Sequence, residues 1–173
     1  MKRLTLAIIA VLGLGAVGSA ANAANVEVQW QNPEKYRDIR ATNEGQKRFQ
    51  ERTMEELEDA FRRGAAELDS NMTLQLTVTD VDLAGEIEYF HDNYPFGLRV
   101  IRRVDSPRLT LSYELRDANG GVVQSASDVK VQDLGLNFKT GTLTTMRRYD
   151  SPYYYEHKLI SDWMRDTFNS ASS

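Results

Sequence analysis

The 173-residue sequence has no cysteine, only two histidines, and no apolar run long enough to cross a bilayer. Without cysteine there is no disulfide, no thiolate metal site, no cysteine nucleophile and no lipid thioether behind a leader. The histidines, His91 and His157, stand in different segments without metal-ligand spacing, and no Gly-x-Ser-x-Gly elbow accompanies them. Both read as surface histidines. Internal repeats, heptads, low-complexity tracts and Pro- or Ser-rich linkers are also missing, which leaves a single domain as the simplest organisation.

What is present begins with a leader. Lys2 and Arg3 precede an apolar run over 4–17 that falls short of the ~20 residues a spanning helix needs, and Ala21-Asn22-Ala23 offers a small-x-small peptidase site. Residues 1–23 are therefore expected to be a cleaved signal peptide, 24–168 one globular domain and 169–173 a frayed tail. The expected compartment is the periplasm or the exterior, with no integral membrane anchor after cleavage. A mature chain of this length buries roughly 68–70% of the surface its unfolded form exposes, enough for a core without staples. The leader carries two of the 21 basic residues and none of the 25 acidic ones, so the mature charge is −6. That sign disfavours nucleic acid as a partner.

Along the chain, residues 26–30 alternate apolar and polar, and Asn32-Pro33 ends the run. Between 42 and 68, Phe49, Met54, Leu57, Phe61, Ala65 and Leu68 recur at helical steps, with Thr42 or Asn43 as the expected N-cap. Gly64 either weakens that helix or lets it approach the sheet closely. Residues 73–79 alternate again with Leu74, Leu76 and Val78 inward. The strand, helix and strand together predict a parallel crossover unit. Segments 98–101 and 109–115 are further strands, broken by Asp105-Ser106-Pro107. Asp117-Ala118-Asn119-Gly120-Gly121 supplies a tight turn, predicting a hairpin of 109–116 and 122–131 whose second arm is polar and edge-like. Residues 135–149 lack a period and read as a surface loop. Ser151-Pro152 predicts the start of a last helix through Leu159, Ile160, Trp163, Met164 and Phe168. The expected fold is α+β: a two-layer sandwich, with a mostly antiparallel sheet of about five strands carrying both helices on one face.

The sharpest chemical signal is the acidic run Asp80-Val81-Asp82-Leu83-Ala84-Gly85-Glu86-Ile87-Glu88. If the strand continues, Asp80 and Asp82 share one face while Val81 and Leu83 point inward. A calcium loop does not fit, because Ala84 stands at loop position five and His91 at twelve, where a bidentate Glu belongs. Acid–base catalysis would need the two carboxyls driven apart in pKa. The plainer alternative is that they cap turns or pair with arginines. Arg99, Arg102, Arg103, Arg108 and Arg116 stand close by in sequence, as ion-pair partners or as an anion-reading patch. Aromatics crowd two places, Tyr89, Phe90, Tyr94 and Phe96 before a strand, and Tyr149, Tyr153, Tyr154 and Tyr155 before the last helix. They either form a ligand surface or close the edge of the core.

Residues 32–39 (Asn-Pro-Glu-Lys-Tyr-Arg-Asp-Ile), 79–85 (Thr-Asp-Val-Asp-Leu-Ala-Gly), Pro107-Arg108-Leu109 leading to 113–117, and Tyr155-Glu156 with Asp162-Trp163 resemble the domain of unknown function 3016 family. The resemblance covers the mature chain. It implies an exported protein of Gram-negative bacteria without an assigned activity, and its motifs single out Asp80, Asp82, Arg108 and Trp163 for testing. The expected function is a non-enzymatic periplasmic module that binds a protein or cell-wall component of the envelope, with no cofactor and no metal ligands assigned. The alternative is a metal-dependent or carboxylate-based hydrolase centred on Asp80 and Asp82.

Overall fold

Segments of alternating polarity pair into one sheet, and the apolar half of each turns toward the same two helices. The computed structural model describes residues 23–89, 95–102, 105–132 and 151–169. Strand β1 (Asn25–Trp30) runs parallel to β2 (Thr73–Asp82), connected by helix α1 (Gln46–Gly64). Strands β3 (Glu86–Glu88) and β4 (Leu98–Val100) form a separate ribbon. Strands β5 (Arg108–Arg116) and β6 (Val122–Gln132) make the antiparallel hairpin expected from the Asn-Gly-Gly turn, and α2 (Tyr154–Met164) follows. The sheet order is β1-β2-β5-β6.

The fold is α+β as the sequence predicts, but the main sheet has four strands where about five were expected. The difference lies at 98–101. Gly85, at φ +82°, turns the chain out of β2, and a Cβ there would stand 2.5 Å from the Val100 carbonyl oxygen. That close approach folds β4 back on β3 instead of onto the sheet.

Leu74, Leu76, Val78, Leu109, Leu111 and Leu115 from the sheet meet Leu57, Phe61, Leu159, Ile160 and Met164 from the helices in one core. Helix α1 begins at Gln46 with Gly45 as N-cap, later than the expected Thr42 or Asn43. The Gln46 side chain instead accepts from Ala41 N–H and donates to the Ile39 carbonyl, tying the preceding segment to the first turn. Gly64 does permit a close approach, but to α2: a Cβ there would lie 2.7 Å from Met164 Cγ. Helix α2 starts at Tyr154, with Ser151 and Pro152 in the turn before it, where Ser151 Oγ accepts from Tyr153 N–H. The chain beyond Met164 continues as a π-helical turn, Arg165–Asn169, that buries Phe168. Asn169, where the tail was expected to start, closes this turn, and residues 170–173 lie outside the described residues. The expected leader before residue 23, the loop 135–149, and residues Phe90, His91, Tyr94, Arg103 and Tyr149 lie outside the described residues.

Candidate functional site

Strict alternation from Leu74 through Val78 would point Asp80 and Asp82 into the core. A bulge prevents this. Val78 pairs with Leu111 and Asp80 with Thr110, so Thr79 has no opposite residue, and its hydroxyl bonds the Thr110 carbonyl instead. The extra residue shifts the phase by one: Val81 is buried, and the two aspartates emerge on the sheet face away from the helices.

Arginines meet them there. Arg37 donates its backbone N–H to Asp80 Oδ1 at 2.8 Å, and its guanidinium stands 3.8 Å from both Asp80 and Asp82. Arg108, directly across the strand from Asp82, lies 3.9 Å from it. Burial raises the Asp82 carboxyl above its ordinary range, opposed by the charges of Arg108 and Arg37. Two cations against two anions leave the cluster balanced, and these partly exposed pairs contribute ~0–1 kcal/mol each.

Behind the cluster, Asp38 bridges to Asp82 beside β2 and takes a forked ion pair from Arg99, at 2.7 and 3.1 Å. Arg99 also donates to the Gly85 carbonyl at 3.1 Å. The Ala84 N–H donates at 2.8 Å to Glu156 Oε1 in the first turn of α2. Glu156 is 3% exposed, its Oε2 has no hydrogen-bond partner, and burial raises its pKa while the Ala84 bond and Arg99 pull it back.

The structure therefore brings Asp80, Asp82 and Arg108 together and places Trp163 elsewhere. Trp163 packs edge-on against Phe61, Tyr113 and Phe168, with ring centroids 5.7–6.1 Å apart, on the helix-covered side. Of the other arginines, Arg102 pairs with Glu88 and Arg116 with Glu114. Tyr153 is buried, consistent with the packing role of that aromatic cluster, whereas Tyr89 and Phe96 are exposed. His157 is half-buried between the helices. Arg37, Asp38 and Glu156 lie in the motif segments of the family resemblance, but sequence reading gave them no role in the site. The first two belong to a segment without strand periodicity, and a lone glutamate in a helix's first turn is an ordinary dipole partner. Among the described residues, no three His, Cys, Asp or Glu side chains converge as a metal site.

The aspartates sit at one end of a longer feature. The same face of the sheet carries Glu27, Gln29, Gln75, Thr77, Ser112 and Ser125 around a shallow depression of about 420 Å³. A ladder of side chains crosses it: Gln75 donates to Glu27 at 2.8 Å, Arg116 donates to Gln75 at 2.9 Å, and Arg116 pairs with Glu114. From Gln75 to Asp82 the polar face runs roughly 20 Å along β2.

An α+β sandwich with one face of its sheet apolar under helices and the other polar is the class this geometry defines. The model of a protein family of unknown function, DUF3016, matches residues 24–166, and the chain belongs to that family. Neither the curated proteins nor the solved structures contain a match to this chain.

Proposed function

We propose that this protein is an exported, non-catalytic module of the bacterial envelope that binds a protein or cell-wall component through the open face of its sheet. The supporting observation is the polar face itself. Its hydroxyl, amide and carboxylate groups surround a depression and suit a ligand held by many hydrogen bonds, a peptide or a saccharide, more than an apolar one. Asp80 and Asp82 favour this reading because both are engaged by Arg37 and Arg108 rather than set apart as acid and base. Export rests on the leader composition, and the family match beginning at residue 24 agrees with cleavage after Ala23.

The β6 edge, polar as the sequence predicts, is a poor docking place. Asp128 sits at φ +53° in a bulge opposite Ser112, and such a bulge blunts an edge against strand addition. The face is therefore the surface to test. Immobilised mature protein and its Thr77→Lys/Ser112→Lys variant, both checked for folding by circular dichroism, are exposed to envelope extract. The reading expects a component retained by the parent and lost from the variant. Retention of nothing above background, or equal retention by both, would overturn it.

A further inference from the structure

A second concave surface lies on the opposite side of the molecule, between the two helices, and its chemistry differs from that of the sheet face. One stripe of α1 and the turn after it, Ala60, Arg63, Gly64 and Glu67, faces one stripe of α2 and the residue after it. The spacing is helical on both walls, with steps of three and four. Ala60 and Gly64 leave the room, and Gly64 lets Met164 close against α1. The resulting cleft holds about 480 Å³.

Donors dominate its lining. Arg63 comes from α1, His157, Lys158 and Ser161 from α2, and Arg165 from just beyond it. Glu67 is the one carboxylate among the lining residues. Lys158 and Arg165 both pair with Asp162, and Arg165 pairs with Asp166 as well; neither of these carboxylates is among the lining residues. Arg63, on the other wall, forms no ion pair among the described residues, and its charge helps keep His157 below its ordinary pKa, behind the larger effect of burial. Cations from two walls, with hydroxyl and imidazole groups between them, match an acceptor whose oxygens point in several directions. A carboxylate offers two oxygens in one plane, whereas a phosphate group offers three or more in a tetrahedron.

We propose that the cleft between α1 and α2 binds a phosphate-bearing anion, gripped by Arg63 from one side and by Lys158 and Arg165 from the other. This site is independent of the sheet-face reading. Its source is either a free phosphate compound or the headgroup of an anionic lipid, and the two separate experimentally. Mature protein is titrated with inorganic pyrophosphate at low ionic strength, following backbone amide resonances. In parallel it is sedimented with phosphatidylglycerol vesicles and with neutral phosphatidylcholine vesicles. The expected result is saturable shifts confined to 60–67 and 151–165, weakened about tenfold or more in Arg63→Gln/Lys158→Gln. Glu67→Gln, which removes the carboxylate from the lining, is expected to tighten binding. Pyrophosphate binding without sedimentation assigns a soluble phosphate compound. Variant-sensitive sedimentation with phosphatidylglycerol alone assigns a lipid headgroup. No saturable binding by either probe, or binding that the folded double variant retains unchanged, would overturn the proposal.

Discussion

Glu156 Oε1 accepts the Ala84 N–H at 2.8 Å, joining the first turn of α2 to the point where the chain leaves β2, 72 residues earlier. A carboxylate buried this deeply with one oxygen unpartnered is a cost to the fold while it is charged.

That cost has a sign. Burial raises the folded-state pKa of Glu156 above its value in the unfolded chain, so the folded state holds the proton more tightly. Its penalty is full above the folded pKa and fades as pH falls through it toward ~4.5. Glu156→Gln retains an acceptor for Ala84 without the charge. Thermal melts from neutral to mildly acidic pH are expected to show the parent gaining stability relative to Glu156→Gln as pH falls. Glu156→Ala, which strands the Ala84 N–H, is expected to lose about 1–3 kcal/mol at mildly acidic pH, where the parent carboxyl is protonated, and less at neutral pH, where it also removes the buried charge.

Thr53 ties α1 to Tyr153, the residue just before α2. Its hydroxyl donates to the Phe49 carbonyl at 2.8 Å and meets the Tyr153 hydroxyl at 2.9 Å, and both residues are buried. Thr53→Val and Tyr153→Phe each leave a partner short of a bond. The double variant removes both hydroxyls together. A double-mutant cycle by urea denaturation is expected to give a coupling of about 0.5–1.5 kcal/mol, with the double variant less destabilised than the singles' sum.

Gly64→Ala isolates the helix contact. On an exposed helix the change would stabilise by ~1 kcal/mol. Here the new methyl group meets Met164 Cγ at 2.7 Å, so a net loss of about 1–3 kcal/mol is expected. Met164→Ala in the Gly64→Ala background is expected to cost less than Met164→Ala alone, a comparison that chemical denaturation provides directly.

Much of the fold was legible because its determinants are local. The turn at 117–121 is an example: Asp117 Oδ1 accepts from Asn119 N–H and Gly121 N–H, and Gly120 takes φ +81°, all within five residues. The strand, helix and strand of the first half were equally clear from periodicity, and the parallel pairing of β1 with β2 follows from them. What stayed hidden depends on partners far away in sequence. Residues 98–101 have strand composition whether they join the main sheet or fold back on Glu86–Glu88, and the close approach that Gly85 permits accompanies the second arrangement. The bulge at Thr79 has no composition of its own, although the inward positions Val78 and Val81, three apart, imply a shift of phase. Thr53 escaped notice because a polar residue filled a position assigned to the apolar stripe, where Met54 was expected. For the site, Asp80, Asp82 and Arg108 were readable as ion-pair candidates close together in sequence, while Arg37 arrives from 43 residues away.

The commitment of Asp80 and Asp82 to arginines carries its own prediction. Melting temperatures with calcium, magnesium, manganese or zinc are expected to match those in chelator. A metal bound only by the folded state at a hundredfold excess over its Kd stabilises by ~2.7 kcal/mol. A saturable rise lost in Asp80→Asn/Asp82→Asn would establish the metal-dependent alternative.

The central claim, that the uncovered polar face of the sheet is the working surface, is tested most directly by photo-crosslinking in the intact cell. A photoreactive phenylalanine analogue replaces Ser112, in the middle of that face, or in a second strain Arg62, on the exposed side of α1. A discrete crosslinked species from position 112 and none from position 62 is the predicted result. Absence of any species from position 112, or the same species from both positions, would contradict the account.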